Sequence, residues 1–493
     1  MQGLFQETGP CEVVQLSNNK IGTIPREWGW DRSSHMLYID QPAQVGFSYD
    51  TLKEASLDFL TGNFISPPID PPASRSQTFR KGIFSSNDAE MTASTTEDSS
   101  ESNFGICYKA RQGVAEVNLF AESYGGKYGP AFAAHFHKQN EKRERGEISR
   151  CKSVDIKVKT LGILQGYIDD LVQNPYFSLF AYNNTYGLRV MSLDDVKASH
   201  KKFHQPGGCK DKVKACRESV RLHDPENAGD VSIVNTACVQ ATIACNGELS
   251  SVYLKHKVFS TPVPPLTYLE YLNMPEVQSA NGSRVNFTES SSTVFDAFLN
   301  AGDYSRGEYT STLASLLDSG VRVALIYGDR DYICNWFGGQ AASFAIAAAS
   351  RSSSPSYIAN FNSAGYAPLI VNTSYTGGVV RQFANLSFAR IYDAGHFIPY
   401  YQPEAVFKLF TRIIEGKNPS TGESIPNISA FQTKGDANST KTNSLPAQAR
   451  PTCYLRKAQD TCSPDQIEKM KAGKGYVING IWHENKRERA IQG

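Results

Sequence analysis

One stretch of the sequence, VNLFAESYGGKYGPAFAAHFHKQ at Val117–Gln139, constrains the fold more than any other. An apolar run leads into Ala-Glu-Ser-Tyr-Gly, and aromatic residues then recur at four-residue spacing, as on one face of a helix. A serine between small residues at a sharp strand-to-helix turn is typical of a nucleophile elbow. The pattern favours Ser123 as a nucleophile, with the Tyr124 N–H at the helix start as an oxyanion donor. The alternative is a serine in an ordinary strand–helix turn.

Two later motifs also follow apolar strand candidates. VRVALIY at Val321–Tyr327 runs into GDRDYICNW, and FARIY at Phe388–Tyr392 runs into DAGHFIP. Serine, acid and histidine in this chain order, each just past the carboxyl end of a core strand, are typical of α/β-hydrolases.

A serine hydroxyl needs an imidazole to accept its proton, and the imidazole needs a carboxylate to fix its tautomer. We therefore predict that His396 and Asp331 are the partners of Ser123. Spacing alone leaves Asp329, and less readily Asp393, as alternative acids.

Near-continuous apolar runs predict buried parallel strands, and Met36–Ile39 and Leu161–Leu164 are further candidates. Long helical or irregular stretches separate the runs, which suits crossover connections. The sequence therefore predicts an α/β fold of the α/β-hydrolase class, with a mostly parallel central sheet, helices on both faces and an inserted cap.

The predicted organisation has four segments. They are a first part of the hydrolase core at residues 1–170, a cap insertion at 171–316, a second part of the core with the acid and histidine at 317–417, and a polar C-terminal extension at 418–493. The stretch Ser85–Ser102 is rich in Ser, Thr, Asp and Glu, and its composition predicts a mobile loop.

Composition excludes some classes of function. Fifty basic and 49 acidic residues leave a net charge of +1, which disfavours nucleic-acid binding. No apolar run reaches the roughly 18 residues that a membrane helix needs, and the first residues do not resemble a signal peptide. The cysteines form no CxxC pair and no Cys/His cluster at zinc spacing, so we predict no metal and no cofactor.

Ten cysteines and seven Asn-x-Ser/Thr sequons favour an oxidising, glycosylating compartment, secreted or vacuolar, and N-linked glycans. The sequons are at Asn183, Asn281, Asn286, Asn372, Asn385, Asn427 and Asn438.

Three motifs resemble those of the serine carboxypeptidase family, namely ESYGGKYGP (Glu122–Pro130), YGDRDYICNW (Tyr327–Trp336) and AGHFIPYYQP (Ala394–Pro403). LYIDQPAQVGFSYD and FAYNNTYGL are also similar to its secreted fungal branch. The resemblance implies that Asp331 is the acid of the triad. It also implies a serine-type carboxypeptidase that releases C-terminal residues from peptides and proteins, most actively at acid pH.

The resemblance further implies a pair of carboxyl groups, Glu122 before the nucleophile and Glu7 in GLFQETGP. Two neighbouring carboxyls do not both ionise easily, so such a pair retains a proton. The protonated form donates a hydrogen bond to the terminal carboxylate of a substrate. Read without the resemblance, each is a solvated or structural glutamate.

The cysteine pattern fits the same family. Two pairs of cysteines, each seven residues apart, suit a nested pairing similar to that in the family's insertion. A third bond is expected near the C-terminus. The expected bonds are Cys209–Cys245, Cys216–Cys238 and Cys453–Cys462. Cys334 matches the position of a thiol near the site in some relatives, with a buried inert cysteine as the alternative. Cys11, Cys107 and Cys151 are left unpaired.

The chain also departs from the family pattern. It begins after the position of a Trp-Asn-Gly-Gly-Pro-Gly loop whose glycine N–H is the second oxyanion donor. Residues 85–117 lack the family's aromatic-rich helix, and Gln165-Gly166 stands where Asn-Gly is usual. Because losing one oxyanion donor costs about 10²–10³ in rate, we expect weak activity from these 493 residues alone. The alternative functions are an acyltransferase or esterase on the same fold, and a catalytically impaired binding glycoprotein.

Overall fold

The computed structural model describes residues 1–16, 20–101, 114–149, 153–255, 264–351, 356–445 and 451–485. The chain forms two compact units. The first comprises Met1–Thr92, Val263–Asp296 and Gln448–Gly493, and the second comprises Ala93–Pro262 and Ala297–Ala447. The first unit contains residues from three of the four segments predicted from the sequence. The division into four segments stays a prediction.

The strands, in chain order, are β1 (Cys11–Gln15), β2 (Ile21–Pro25), β3 (Leu52–Asp58), β4 (Phe64–Ile65), β5 (Phe79–Ser85), β6 (Val114–Glu122), β7 (Asp155–Leu164), β8 (Arg322–Gly328), β9 (Ala367–Ile370), β10 (Thr376–Phe383), β11 (Leu386–Ile391), β12 (Tyr476–Ile478) and β13 (Ile481–His483).

The α-helices are α1 (Gly125–Glu144), α2 (Asp170–Gln173), α3 (Pro175–Tyr182), α4 (Leu193–His204), α5 (Cys209–His223), α6 (Ser232–Lys255), α7 (Thr267–Tyr271), α8 (Pro275–Asn281), α9 (Ser292–Ala301), α10 (Asp303–Arg306), α11 (Tyr309–Asp318), α12 (Trp336–Ala349), α13 (Ser356–Ser363), α14 (Ile398–Tyr401), α15 (Pro403–Glu415), α16 (Ala458–Thr461) and α17 (Pro464–Lys471). A π-helix covers Gly3–Thr8, and residues 96–101 are helical.

A six-stranded sheet in the order β6-β7-β8-β11-β10-β9 forms the centre of the second unit. The pairs β6–β7, β7–β8 and β8–β11 are parallel, and β10 is antiparallel to β11 and β9. Strands β8 and β11 consist almost wholly of buried residues, as expected of strands covered on both faces. The predicted mostly parallel sheet is confirmed, together with the four strand candidates that lie in β6, β7, β8 and β11.

The fifth strand candidate, Met36–Ile39, is wrong. Residues 35–40 join no sheet in the described part of the chain, and Leu37 is 61% exposed. An apolar run becomes a strand only where a neighbouring strand accepts its hydrogen bonds, and the sequence pattern does not report the neighbour.

The prediction of a mobile loop at Ser85–Ser102 is also wrong over its second half. Thr95, Thr96 and Ser99 are completely buried, and residues 96–101 are helical. The Thr95 hydroxyl donates to the Asn227 carbonyl at 2.6 Å. Composition suggested a solvated segment because these side chains are polar, but tertiary hydrogen bonds satisfy them inside the second unit.

Helices α5 and α6 of the second unit are joined by two disulfides, Cys209–Cys245 and Cys216–Cys238, the nested pairing that the resemblance implies. Cysteines seven residues apart lie on the same helix face, so one helix pair accommodates both bonds. Val213, Val234 and Ala241 pack around the bonds with no exposed surface. The helix pair is therefore stapled as well as packed.

The C-terminal segment has two parts. Residues 432–444 belong to the second unit, where Arg390 donates to the Ser439 hydroxyl and to the Lys441 carbonyl. In the first unit, the Cys453–Cys462 disulfide encloses a short helical turn. An antiparallel hairpin of β12 and β13 follows further along the chain.

Among the described residues, no helix combines the length and the apolar character that crossing a bilayer requires.

The stapled helix pair generates a stability prediction. Replacing both Cys216 and Cys238 with Ala removes a bond between residues 22 apart, and the free energy of unfolding should fall by about 2–4 kcal/mol because the unfolded chain regains loop entropy. Urea unfolding followed by circular dichroism measures the loss. The double Ala variant of Cys453 and Cys462 is the matched control, since it opens a separation of only 9 and should lose less. A loss below about 1 kcal/mol for the first variant would contradict the prediction.

Candidate active site

The turn between β6 and α1 has the backbone of a nucleophile elbow. Ser123 adopts a φ of 60°, in the left-handed region that side chains rarely occupy. Its N–H donates to the Leu164 carbonyl at 3.0 Å, and its carbonyl accepts from the N–H groups of Gly126 and Tyr167, each at 2.9 Å. A strained residue persists only where its surroundings hold it, and here neighbours on both sides do so.

The small residues around Ser123 are required by close packing. A Cβ at Gly126 would lie 2.6 Å from the Tyr167 carbonyl oxygen, and one at Gly125 would lie 2.7 Å from the Ala121 Cβ. Real Cβ atoms do not approach backbone so closely, so glycine is needed at Gly126. The Ala121 side chain likewise leaves no room for a Cβ at Gly125.

Asp331 and His396 form the hydrogen bond expected of a catalytic acid and base. The His396 Nδ1 lies 2.7 Å from the Asp331 carboxylate. The carboxylate also accepts from the N–H groups of Ile333 at 3.1 Å and Cys334 at 3.2 Å. Asp331 is 5% exposed, whereas 22% of the His396 side chain is accessible, so the imidazole is open to a reactant.

The two alternative acids are bound to arginines. Asp329 pairs with Arg390 at 3.0 Å, and neither side chain has any exposed surface. Burial raises the pKa of Asp329, and the Arg390 guanidinium opposes that rise. Asp393 is paired with Arg330 at 2.5 Å near the surface. Of the three candidates, Asp331 is the one that contacts the histidine ring.

Gln165 follows β7 and connects the neighbouring loops. It is completely buried with a φ of 46°, and its amide nitrogen donates to the Gly395 carbonyl at 2.9 Å. Its own N–H donates to the Ile326 carbonyl of β8 at 2.9 Å. The glutamine that departs from the family pattern therefore supports the loop of His396.

Cys334 is a buried thiol beside the acid and the histidine. Ligand atoms of Asp331, Cys334 and His396 lie within 4.8 Å of one another, a mixed donor set that a soft metal ion prefers. Burial raises the pKa of the Cys334 thiol well above its usual range, and the Asp331 charge adds to the rise. The group is therefore a protonated thiol and not a reactive thiolate.

The remaining predicted residues lie in both units. Glu122 is the last residue of β6 and is half-buried, and Tyr124 is the N-cap residue of α1. Glu7 is buried in the π-helix of the first unit. The pairing of Glu7 with Glu122 stays a prediction. Cys11 has no disulfide partner among the described residues, and Cys107 and Cys151 lie outside them.

Sequence reasoning missed a set of buried polar residues beside the elbow helix. Lys127 has no exposed surface, and its ammonium donates to the Tyr304 carbonyl at 2.7 Å. Tyr124 donates through its hydroxyl to Asp303 at 2.5 Å. The contacts join residues about 180 positions apart. The one local signal is a glycine before the polar tetrapeptide Asp-Tyr-Ser-Arg, which is too common to be informative.

Known proteins resemble the chain over most of its length. The sequence profile of the family described as serine carboxypeptidase matches residues 1–416. The chain belongs to the serine carboxypeptidase family. It is a hydrolase of that family with the α/β-hydrolase fold, as the sequence motifs implied.

Individual relatives agree with the family assignment. Carboxypeptidase S1 homolog A of Trichophyton rubrum is 38% identical over 506 residues, 98% of this chain and 76% of the relative. Carboxypeptidase Y homolog of Arthroderma benhamiae is 35% identical, with 98% and 78% covered. The solved structure of Kex1(delta)p, a prohormone-processing carboxypeptidase from Saccharomyces cerevisiae, has a TM-score of 0.50 at 18% identity and supports the fold, with 86% of this chain and 82% of that chain covered.

The ion pair of Asp329 generates a prediction about stability rather than chemistry. Asp329→Ala leaves the Arg390 charge buried without its carboxylate, and we expect the free energy of unfolding to fall by about 3–5 kcal/mol. Asp194→Ala is the matched control, because it breaks a pair with Lys197 in which the Asp side chain is 91% exposed. Thermal and urea unfolding should show no measurable loss for the control. Equal stability of the two variants would contradict a structural role for Asp329.

Proposed function

We propose that the chain releases residues one at a time from the C-termini of peptides, through an acyl-enzyme intermediate on Ser123. The observation that carries the proposal is the hydrogen bond of 2.7 Å between Asp331 and His396. The two residues follow β8 and β11 of the central sheet, and β6 at the edge of the same sheet ends in a strained serine turn. A nucleophile, an oriented base and a helix N-terminus are the parts that acyl transfer requires.

In the first step, the Ser123 hydroxyl attacks the carbonyl of the last peptide bond while His396 accepts its proton. Asp331 fixes the tautomer that leaves the other ring nitrogen free to act as the base, and it stabilises the imidazolium that forms. The Tyr124 N–H stabilises the oxyanion. His396 then gives the proton to the departing amine, and the peptide remains as an ester of Ser123.

In the second step, water replaces the amine. His396 accepts a proton from the water, the hydroxide equivalent attacks the ester carbonyl, and the serine hydroxyl is restored with that proton. The products are the shortened peptide and one free amino acid. A triad of this kind needs no metal or organic cofactor, since its side chains supply both the nucleophile and the proton transfers.

Selection of free C-termini is proposed for Glu122 and Glu7. Both glutamates occupy positions that resemble the family's paired carboxyls; Glu7 is 3% exposed and Glu122 is half-buried. A protonated carboxyl donates a hydrogen bond to the substrate carboxylate, whereas an ionised one repels it. Binding of free-acid peptides should therefore be tightest in acid.

The proposed location is the cell exterior or a vacuole. Three disulfides indicate an oxidising compartment, and fungal carboxypeptidases are among the similar proteins. Exposed sequons such as Asn281 and Asn438 are proposed to carry N-linked glycans, whereas Asn286 is 8% exposed and accepts a bond from Gln278. A glycan does not fit at Asn286 in the folded chain.

The first test of the function is active-site labelling. A fluorophosphonate probe should label the chain, and Ser123→Ala should abolish both labelling and release of amino acids from peptides. Asp331→Asn should lower kcat about 10⁴-fold because it stabilises the wrong histidine tautomer. Asp393→Asn is the matched control and should keep kcat within about threefold, since the Asp393 side chain is 44% exposed and is paired with Arg330. Labelling without release of amino acids would point to an esterase or acyltransferase, and no labelling to a binding glycoprotein.

The second test concerns pH. Glu122→Gln should weaken binding of free-acid peptides strongly at acid pH and less at neutral pH, because the ionised pair of the native chain already repels the substrate there. Competition assays at pH values of about 4.5 and 7 give the two affinities, with peptide amides as the control ligands. An equal loss at both pH values would rule out the carboxyl pair.

A further inference from the structure

The residue after the nucleophile is anchored through its side chain. The Tyr124 hydroxyl donates to the Asp303 carboxylate at 2.5 Å. Asp303 has no exposed surface, and it also accepts from the N–H of Thr96 at 2.9 Å and from its hydroxyl at 2.7 Å. Three donors therefore converge on one buried carboxylate.

The same short helix, α10, holds the elbow helix at a second point. Lys127 lies one helical turn after Tyr124, and its ammonium donates to the Tyr304 carbonyl at 2.7 Å. The Lys127 ammonium also lies 5.2 Å from the ring centroid of Tyr167, whose N–H binds the Ser123 carbonyl. Two consecutive residues of α10 thus fix the first turn of α1.

Helix α10 is fixed from its other side by the stapled helix pair. Gly302 adopts a φ of 68° before α10, and a Cβ there would lie 2.4 Å from the Cys238 carbonyl carbon. The buried Arg306 guanidinium is paired with Asp224 at 2.8 Å and donates to Asn227 at 2.7 Å. Backbone contact with a disulfide-bonded residue and a buried ion pair leave α10 little freedom to move.

We propose that Asp303 is a positioning residue for the reaction, since it holds the Tyr124 side chain and thereby aims the Tyr124 backbone N–H at the oxyanion. The inference rests on the proposed function, which makes that N–H the oxyanion donor. Asp303 does not touch the reacting atoms. It acts through the geometry of the elbow, where a displacement of 1 Å costs about 10² in rate.

Glu97 is a second carboxyl beside this anchor, because its partner Asn227 also accepts from Arg306 of α10. It accepts from the Tyr309 hydroxyl at 2.9 Å and from the Asn227 amide at 2.6 Å. Burial and the charge of Asp303 raise the pKa of Glu97 to about 7. The other charged and titratable groups around this cluster include Tyr124 at the N-cap of α1, Lys127 and Tyr128 of α1, Tyr304 and Arg306 of α10, Tyr309 of α11, and Asp224.

The sign of the pH effect follows from that shift. The ordinary pKa of 4.5 lies below the folded value of about 7, so the folded state retains the proton over that window and stability falls as pH rises through it. Glu97→Gln keeps the side chain neutral and should flatten the fall in melting temperature between pH 4.5 and about 7. Parallel curves for the native chain and the variant would exclude a proton on Glu97.

The test of positioning compares Tyr124→Phe and Asp303→Asn with the native chain. Tyr124→Phe should lower kcat and the rate of fluorophosphonate labelling by about tenfold or more while KM changes less than about threefold. Tyr357→Phe is the matched control, because its buried hydroxyl donates to the Phe383 carbonyl at 3.2 Å, away from the elbow. Tyr357→Phe should lower the free energy of unfolding by about as much as Tyr124→Phe does, and it should leave kcat unchanged. Asp303→Asn disturbs the oxygen that accepts from both Tyr124 and Thr96, so it should lower kcat at least as much as Tyr124→Phe, and the double variant should lower kcat little further than Asp303→Asn.

The outcomes distinguish a failure of the proposed function from a failure of the positioning role. A native chain that takes no label contradicts the proposed function itself. A native chain that is labelled and releases amino acids, with Tyr124→Phe as fast as it, contradicts only the positioning role. An equal loss of kcat in Tyr357→Phe would reduce the effect to general destabilisation and would also overturn that role. Tyr124→Phe decides the question even where Asp303→Asn fails to fold.

Discussion

The structure of the second unit depends on the close packing of the serine turn against the backbone beside it. Ser123 can adopt its left-handed conformation only because Gly126 lets the elbow approach Tyr167, where a methyl group would lie 2.6 Å from a carbonyl oxygen. The Ser123 carbonyl accepts the Tyr167 N–H across this approach. Hydrogen bonds and close packing thus hold the strained conformation. The helix that follows begins at this turn, and a helix N-terminus stabilises a developing negative charge.

The other residues of the site lie in loops that follow the other strands of the sheet. Parallel pairing of β6, β7, β8 and β11 brings their carboxyl ends together, so loops far apart in sequence become neighbours. Gln165 ties the loop of His396 to the strand beside the elbow. Helix α10 binds Tyr124 and Lys127. Residues about 180 positions further along the chain therefore hold the helix that follows the serine turn.

Local chemistry made the elbow, the acid and the histidine predictable, because each needs particular residue types directly after a strand. Tertiary contacts decided what the pattern left open. The spacing in the sequence could not distinguish Asp331 from Asp329 as the acid. The structure distinguishes them, because Asp329 is paired with the buried Arg390. The serine- and threonine-rich segment looked solvated because composition does not reveal partners such as Asp303 and Asn227. Asp303 was missed for the same reason, since no periodic pattern links it to Tyr124.

The central claim is that residues 123, 331 and 396 act as one unit. The most direct measurement is a crystal structure of the chain with a phosphonate bound covalently to the nucleophile, because the adduct resembles the tetrahedral intermediate. The account predicts phosphorus on the Ser123 oxygen, a phosphonyl oxygen bonded to the Tyr124 N–H, and the free nitrogen of the His396 ring within about 3.2 Å of the Ser123 oxygen. An adduct on another residue, or a His396 ring beyond hydrogen-bond reach of that oxygen, would contradict it.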